Sequence, residues 1–535
     1  MFIRCQKYTS TKKVITICES KREGKKVIQR IVKYLGIAQD ESQLKAMKAL
    51  AKREIKRLEK AKNQSPIDVK PTTKPVHTPI ENLVEQERLI DGFHDIFSPI
   101  FNDLKLTDLF SKIRLEQLKD LAIARIAEPC SKLRTAELLK RDYSKPLSDD
   151  QIYKLMDVVA AREDSIKLKI FEATKELCPN EAVDVLFFDV TTLYFESQKD
   201  DDLKTFGYSK DHKIGEVQVV LALATTSKGL PVGYNLFPGN TAEVKTLLHC
   251  LSEWRTKLKI ENVVIVADRA MMAESNLQEM EKAQFKYVIA AKLKAMPTIL
   301  KTEILNRHKE VEAVLDKEKV YIQEHTYNGR RIIVNFSESR ATKDRVDRER
   351  LIKKVKSKLN GDDEAQTRKF VTNNGYLKYT DEKKKGQVTF NECKVKEEAK
   401  WDGLHGIITN DTEARAVDLL QRYRGLWVIE ESFRINKHSL KMRPIYHFKP
   451  ERIKAHILIC YIAFSMSRYA QQKVEVFDQK LSIEKIREAL SQIESSIMED
   501  KDTKQHYKIP SKMNKEASII YRAMGVIRPN TPIKM

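Results

Sequence analysis

The sequence predicts a multidomain α/β protein organised on a mixed β-sheet. Three observations predict it. The chain has 535 residues, more than one ordinary hydrophobic core accommodates, so several domains are expected. Between about 181 and 295, apolar runs with strand periodicity alternate with helical patterns in the order β-β-β-α-β-α-β. Residues 81–180, by contrast, carry helical periodicity alone.

At the N-terminus, Lys13 to Cys18 and Lys26 to Tyr34 flank a turn that ends at Gly24 and predict a basic β-hairpin. Residues 41–62 follow with a helix rich in Ala, Leu, Lys and Glu, either solvated or laid on DNA. Together these form a first unit, residues 1–63. Pro66, Pro71, Pro75 and Pro79 mark 64–80 as an extended linker. Residues 81–180 read as a helical domain with helices near 89–110, 115–127, 132–142, 148–161 and 164–177.

The core follows at 181–295. Its first strand, 183–195, is apolar on both faces, so it belongs in the middle of a sheet covered on both sides. Asp189 lies within that run. A buried carboxylate without a partner is costly, and a bound metal ion is one of the few ways to compensate it. An Asp that reaches solvent at the strand's end is the alternative reading. Strands at 217–225 and 230–237 continue as an antiparallel meander, a helix spans 242–258, and a fourth strand at 263–267 delivers Asp268. A helix near 274–283 and a strand at 287–291 close the pattern. This strand order is that of the ribonuclease-H-like topology, in which the first and fourth strands are neighbours, so Asp189 and Asp268 are expected side by side.

Residues 296–402 interrupt the pattern with strands near 320–326 and 331–336, a charged helix over 343–358 and a further stretch at 367–379; they are read as an inserted, mostly β subdomain. The second part of the core, 403–470, has a strand at 404–409, a long helix over 411–441 and a buried helix over 450–470. On the long helix Leu419, Leu426, Phe433 and Leu440 recur every seventh residue as an apolar stripe. Tyr423, Glu430 and Lys437 recur at the same step along its edge. These charges are either the rim of an amphipathic helix or part of a site. Residues 471–535 are read as a C-terminal helical tail.

Composition narrows the function. Lys and Arg outnumber Asp and Glu by 98 to 76, a net charge of +22, which points to a polyanionic partner, nucleic acid first; a lysine-rich proteome is the alternative. The seven cysteines are scattered without a C-x-x-C pair, which argues against a zinc site and a disulfide framework. Met1 to Lys7 lacks the apolar segment of a signal peptide, and no run reaches membrane-span length, so a cytoplasmic, reducing location without membrane contact is expected.

Three carboxylates from two strands and a helix suit two divalent metal ions, Mg²⁺ or Mn²⁺. Ions roughly 3.5–4 Å apart can activate a water and stabilise a leaving 3′ oxygen on a phosphodiester. Asp189 is expected to bridge both ions, with Asp268 and Glu430 each completing one. Arg434 and Lys437 then lie near the phosphates, and Tyr423 hydrogen-bonds a phosphate oxygen.

These motifs resemble those of DDE transposases of bacterial and archaeal insertion sequences, in the group known by a Y-R-E-K signature. Tyr423, Glu430 and Lys437 match its spacing; Leu426 stands where the signature has Arg, and Arg424 is the nearby candidate to replace it. Asp189 in Phe-Phe-Asp-Val-Thr and Asp268 in Val-Ala-Asp-Arg resemble the two aspartate motifs. Gly207 to His212 and Phe237 to Thr241 resemble stretches of one branch. The resemblance implies cut-and-paste transposition: binding of terminal inverted repeats, hydrolysis of the ends, and joining to target DNA. It further implies a homodimer on double-stranded DNA, a prokaryotic nucleoid-associated setting, and DNA-end binding by residues 1–63. Lys210, His212 and Arg269 are implied as additional phosphate contacts, and Trp427 resembles a residue placed near a flipped base, with helix packing as its alternative role. A nuclease of the same fold without strand transfer, and a non-catalytic DNA-binding derivative, are the competing functions.

Overall fold

The structure, a computed structural model, describes residues 1–7, 13–23, 26–38, 41–63, 78–177, 185–196, 199–207, 216–258, 264–307, 310–359, 378–383, 387–478 and 480–535. The linker up to 77, the segment 208–212 with Lys210 and His212, and 367–377 therefore lie outside the described residues.

The N-terminal unit is a three-stranded antiparallel sheet of β1 (Phe2–Lys7), β2 (Lys13–Glu23) and β3 (Lys26–Ala38), followed by α1 (Glu41–Asn63). The hairpin is joined by β1, which aligns Ile3 with Ile17. Ile15, Ile17, Leu35, Leu44 and Met47 form its own small core.

Next come β4 (Leu83–Ile90), α2 (Gly92–Asp103), α3 (Lys112–Ala127), α4 (Lys132–Tyr143), α5 (Asp149–Ala160) and α6 (Glu163–Leu177). The start of α5 is fixed by a capping box between Ser148 and Gln151, which satisfies two backbone N–H groups at once. The continuous helix expected over 89–110 is not formed. Its first residues belong to β4, and a 3₁₀ turn at Leu106–Leu109 ends it. β4 pairs with β16 (Glu494–Asp500), contributed from the far end of the chain, and no local pattern signals so distant a partner.

The central sheet has nine strands. In chain order its elements are β5 (Val185–Tyr194), β6 (Gln218–Thr226), β7 (Pro231–Pro238), α7 (Glu243–Leu258), β8 (Val264–Ala267), α8 (Glu274–Lys282), β9 (Lys286–Ala290) and α9 (Thr298–Asn306). There follow β10 (Val311–Leu315), β11 (Glu318–Tyr327), β12 (Arg330–Phe336), α10 (Glu338–Leu359), the hairpin β13 (Thr380–Lys383) and β14 (Gln387–Phe390), α11 (Glu392–Ala399) and β15 (Leu404–Thr409). Across the sheet the order is β10-β11-β12-β15-β9-β8-β5-β6-β7. β8 runs parallel to β5 and to β9, and the remaining neighbours are antiparallel. The chain is thus a mixed α/β protein on a large mixed sheet, with the first and fourth strands of the core adjacent as expected.

The stretch 296–402, read from sequence as an inserted, mostly β subdomain, contributes β10, β11 and β12 to this sheet and widens it. β12 pairs along the whole of β15, from Arg331 opposite Thr409 to Phe336 opposite Leu404. An open strand edge presents a row of unpaired backbone groups, and β12 satisfies them. Of the described strands in this stretch, only the hairpin β13–β14 stands outside the large sheet.

After β15 come α12 (Ala416–Arg424), α13 (Trp427–Arg434), a π-helical turn Ile435–Ser439, α14 (Pro450–Phe477), α15 (Ile483–Ser491), β16, β17 (His506–Pro510), α16 (Lys515–Met524) and β18 (Ile533–Lys534). Residues 471–535 are therefore not helical throughout: β16 and β17 build a second sheet with β4 and β18. The expected buried helix is α14, with Pro450 in its first turn and apolar residues around most of its circumference. Alternation along β5 splits the core. Leu186, Phe188 and Val190 pack with Ile265 and Ala267 of β8 and with Leu247, Trp254 and Met280 of α7 and α8. Phe187 and Leu193 pack with Val266 and with Ile170, Leu419, Ile429 and Ile457 on the helical side.

Candidate active site

β5 and β8 set the first two carboxylates. Their register runs from Val185 opposite Val264 to Phe188 opposite Ala267, so the next step places Asp189 beside Asp268. Asp189 follows Phe187 and Asp268 follows Val266 at two-residue spacing, and both those apolar residues lie in the core beneath the helices. The two aspartates therefore share that face. Asp189 is half-buried within β5, and Asp268 is exposed just past the end of β8. Each accepts a backbone N–H from the next residue, Val190 to Asp189 Oδ1 at 2.7 Å and Arg269 to Asp268 Oδ1 at 2.6 Å. Asp268 thereby caps the short 3₁₀ turn Arg269–Met271.

The third carboxylate comes from the helical segment above. The single helix expected over 411–441 is divided. Between α12 and α13 it tightens at Gly425 and Leu426, where N–H groups bond three residues back: Leu426 to Tyr423 at 3.0 Å, Val428 to Gly425 at 3.0 Å and Ile429 to Leu426 at 3.1 Å. The cause is close approach to the strand. A Cβ at Gly425 would lie 2.6 Å from Phe187 Cζ, so only glycine brings the backbone this near to β5. The stripe holds across the division: Leu419, Leu426, Phe433 and Leu440 are all buried. On its edge Tyr423 and Lys437 are half-buried and Glu430 is exposed. Lys437 falls in the π-helical turn, a local widening that often accompanies functional sites.

α13 is held from behind by Arg468 of α14. Its guanidinium, 4% exposed, donates to Glu431 Oε2 at 2.9 Å and to Ser432 Oγ at 3.0 Å. The charged pair is directional and partly buried, so it fixes the rotation of α13 and with it the side on which Glu430 emerges.

Two adjoining cavities flank Tyr423. One, of about 730 Å³, begins at Asp268 and Arg269 and continues past Lys292 and Trp401. The other, of about 470 Å³, reaches Trp427 and Glu430. Tyr423, His405, Arg340 and Asp344 border both. The Tyr423 hydroxyl is pushed up to about 12, first by burial and next by the Asp268 carboxylate, with Arg340 and Arg269 opposing and Glu430 adding. It therefore stays protonated and keeps a hydrogen to donate. His405 stacks on it, ring centroids 4.9 Å apart. Burial, then Arg340, Arg424 and Arg269, lower His405 to about 4, so its imidazole is neutral at neutral pH. Sequence reasoning missed His405 and Arg340. One comes from β15 and the other from the start of α10, and no spacing ties them to Tyr423.

The remaining expected residues are placed as follows. Arg424 lines the second cavity, but its guanidinium donates to the Leu315 carbonyl at 3.2 Å and pairs with Asp316 at 3.3 Å and Glu318 at 3.1 Å. Arg434 is exposed, 3.8 Å from Glu431. Trp427 is exposed, with Lys480 Nζ 4.9 Å from its ring centroid. Arg269 is exposed beside Asp268. Lys210 and His212 lie outside the described residues. Among the described residues no three His, Cys, Asp or Glu side chains gather closely enough to hold a metal ion: Asp268 lines the first cavity and Glu430 the second, and Asp189 lines neither. No ion pair neutralises Asp268 or Glu430 among the described residues. No helix among them is long and apolar enough to cross a membrane.

Solved structures similar to the chain include the Mos1 transposase paired-end complex with left transposon end and the Mos1 mariner paired-end complex with Mn. Each is 12% identical over 32% of this chain and 57% of the other, at a TM-score of 0.15. A pre-cleavage Mos1 transpososome matches at 11% identity with the same coverage and TM-score. The chain thus spans little more than half the length of these proteins, and superposition at that score defines no common fold. No curated protein matches the sequence. The profile of the transposase DDE domain, however, matches residues 183–466, more than half of the chain, from β5 into α14 and across all three acidic residues: the chain belongs to the transposase DDE domain family.

Proposed function

We propose that the chain is a cut-and-paste DNA transposase of the Y-R-E-K group, built on a ribonuclease-H-like core. In this reading it binds the terminal inverted repeats of an insertion sequence, hydrolyses the DNA ends and joins the freed 3′ hydroxyls to target DNA, as a homodimer. The observation that carries it is the register of β5 with β8, which sets Asp189 beside Asp268 on the face beneath α13. The core strand order β7-β6-β5-β8-β9 supports the fold assignment.

The donor chemistry suits hard divalent cations: three carboxylates, with no ion pair to Asp268 or Glu430 among the described residues, and no cysteine or histidine ligand needed; to share an ion the three must draw closer than they stand. Asp189, Asp268 and Glu430 would hold Mg²⁺ or Mn²⁺. When bound, the ions supply an activated water and charge stabilisation at the departing oxygen. Tyr423, with its proton retained, donates to a phosphate oxygen. Lys437, Arg434, Arg269 and Arg340 supply positive charge around the phosphodiester, and neutral His405 holds the Tyr423 ring by stacking. Arg424 is the remaining candidate for the missing signature Arg, and contact with phosphate requires it to leave Glu318.

The test is cleavage and strand transfer on labelled DNA carrying the element's ends, with Mg²⁺ or Mn²⁺. Asp268→Asn and Glu430→Gln should each lower both steps by roughly a thousandfold or more while DNA binding persists. Cutting without joining would favour a nuclease, and activity retained in either variant would exclude this site.

A further inference from the structure

Beyond the π-helical turn, residues 441–449 lead into α14 as an extended loop with two distinct sides. Met442 and Ile445 face inward and are buried. The Ile445 N–H donates to the Tyr194 carbonyl at 3.2 Å, and Phe195 and Ile445 form a parallel bridge at the end of β5. His456 Nε2 lies 3.1 Å from the Met442 carbonyl. On the other flank, Lys204 Nζ donates to the Phe448 carbonyl at 3.2 Å. His447 turns inward as well, its ring 5.3 Å from that of His456.

The alternate residues point the other way. Tyr446 and Phe448 are 60% and 69% exposed. Because the loop is fastened at several points, these rings have no path into the core. Two outward aromatics on a pinned loop form a surface that gains from being covered. The charge around them selects the cover. From His438 to Lys454 the chain carries Lys441, Arg443, Lys449, Arg452 and Lys454 against a single acid, Glu451; from outside the stretch, Asp157 pairs with Arg452 at 3.2 Å and Glu196 lies near Tyr446, so the balance in favour of cations rests on Lys441, Arg443 and Lys449. Aromatic faces interleaved with cations suit a nucleic acid strand, with rings for the bases and ammonium or guanidinium groups for the phosphates. The loop meets β5 six residues past Asp189, roughly 20 Å along the strand at about 3.3 Å per residue. That is about six base-pair steps, so one DNA strand can reach both places.

We infer that the loop 441–449 is a second nucleic-acid contact, in which Tyr446 and Phe448 stack on the bases of an unpaired or sharply distorted DNA strand and Lys441, Arg443 and Lys449 take its phosphates. The inference rests on the proposed DNA substrate, but not on the chemistry at Asp268.

The test is fluorescence anisotropy with the full chain, a labelled thymidine oligonucleotide and a labelled duplex. The Tyr446→Ala/Phe448→Ala variant should bind the single strand about tenfold or more weakly, with a smaller change on duplex. Tyr446→Leu/Phe448→Leu keeps apolar bulk without rings and should be equally weak, while circular dichroism confirms that both variants fold. Unchanged single-strand affinity in the alanine variant overturns the inference, as does full binding by the leucine variant. A shift in oligomeric state with DNA affinity intact would make this a self-association surface and also overturn it. If the wild type binds neither probe, the transposase reading falls together with the loop's role; if only the variants match wild type, the loop's role alone falls.

Discussion

Tyr423 connects more of the candidate site than any single carboxylate does. It borders both cavities, senses Asp268 and Glu430 electrostatically, and carries His405 against its ring. The stack and the hydroxyl can be separated experimentally. Tyr423→Phe keeps the ring and removes the donor. DNA cleavage should drop by roughly ten- to a hundredfold, the effect of losing one hydrogen bond to a charged oxygen. Urea unfolding should stay within about 0.5 kcal/mol of wild type. A cleavage rate equal to wild type would show that the hydroxyl touches nothing in the reaction.

At the scale of the element, two devices hold α12 and α13 against the sheet. The first is the glycine at the tightened turn. Gly425→Ala brings a methyl to 2.6 Å from Phe187 Cζ, which should cost about 1–3 kcal/mol through overpacking despite alanine's better helix propensity. Phe187→Leu should relieve part of that cost, and additivity of the two changes in denaturant unfolding would rule out the contact. The second is Arg468. Arg468→Met removes the main partner of Glu431, whose side chain is 15% exposed, and should destabilise by about 3 kcal/mol. Cleavage should fall too, since α13 loses the contact that orients Glu430. Adding Glu431→Gln should restore much of the stability if the loss arises from the stranded carboxylate.

At the scale of the whole molecule, three histidines, His456 buried and His405 and His447 half-buried, contribute to the response to pH. Burial, then Arg340 and other guanidiniums, lowers His405 to about 4. Burial, then Lys132 and Arg125, lowers His447 to about 3 and His456 well below its usual value. A base whose folded value lies below its unfolded one binds fewer protons in the folded state across that interval. Stability is then complete above about pH 6.5 and lost as pH falls towards 4. At pH 5 His405 and His447 should each cost roughly 2 kcal/mol relative to pH 7.5. Equilibrium unfolding at pH 7.5, 6 and 5 measures this before carboxylates titrate; a flat profile would contradict it.

What the sequence determined by itself is what local periodicity encodes. Apolar runs placed β5 and β8, and the order of strands and helices, read by analogy with a known topology, set Asp189 beside Asp268, as the parallel register has them. The seven-residue stripe Leu419, Leu426, Phe433 and Leu440 put Glu430 at the edge of a buried face. These signals survive because each element buries one face whatever its partner is. Tertiary structure alone decided the rest: the pairing of β4 with β16, the entry of β10–β12 into the central sheet, the tightening at Gly425, and the commitment of Arg424 to Glu318. It also brought His405 and Arg340 to Tyr423. The physical reason is that backbone pairing between remote strands, close packing against a particular ring and the choice among charged partners depend on distances created only by folding, and no local pattern of residues carries them.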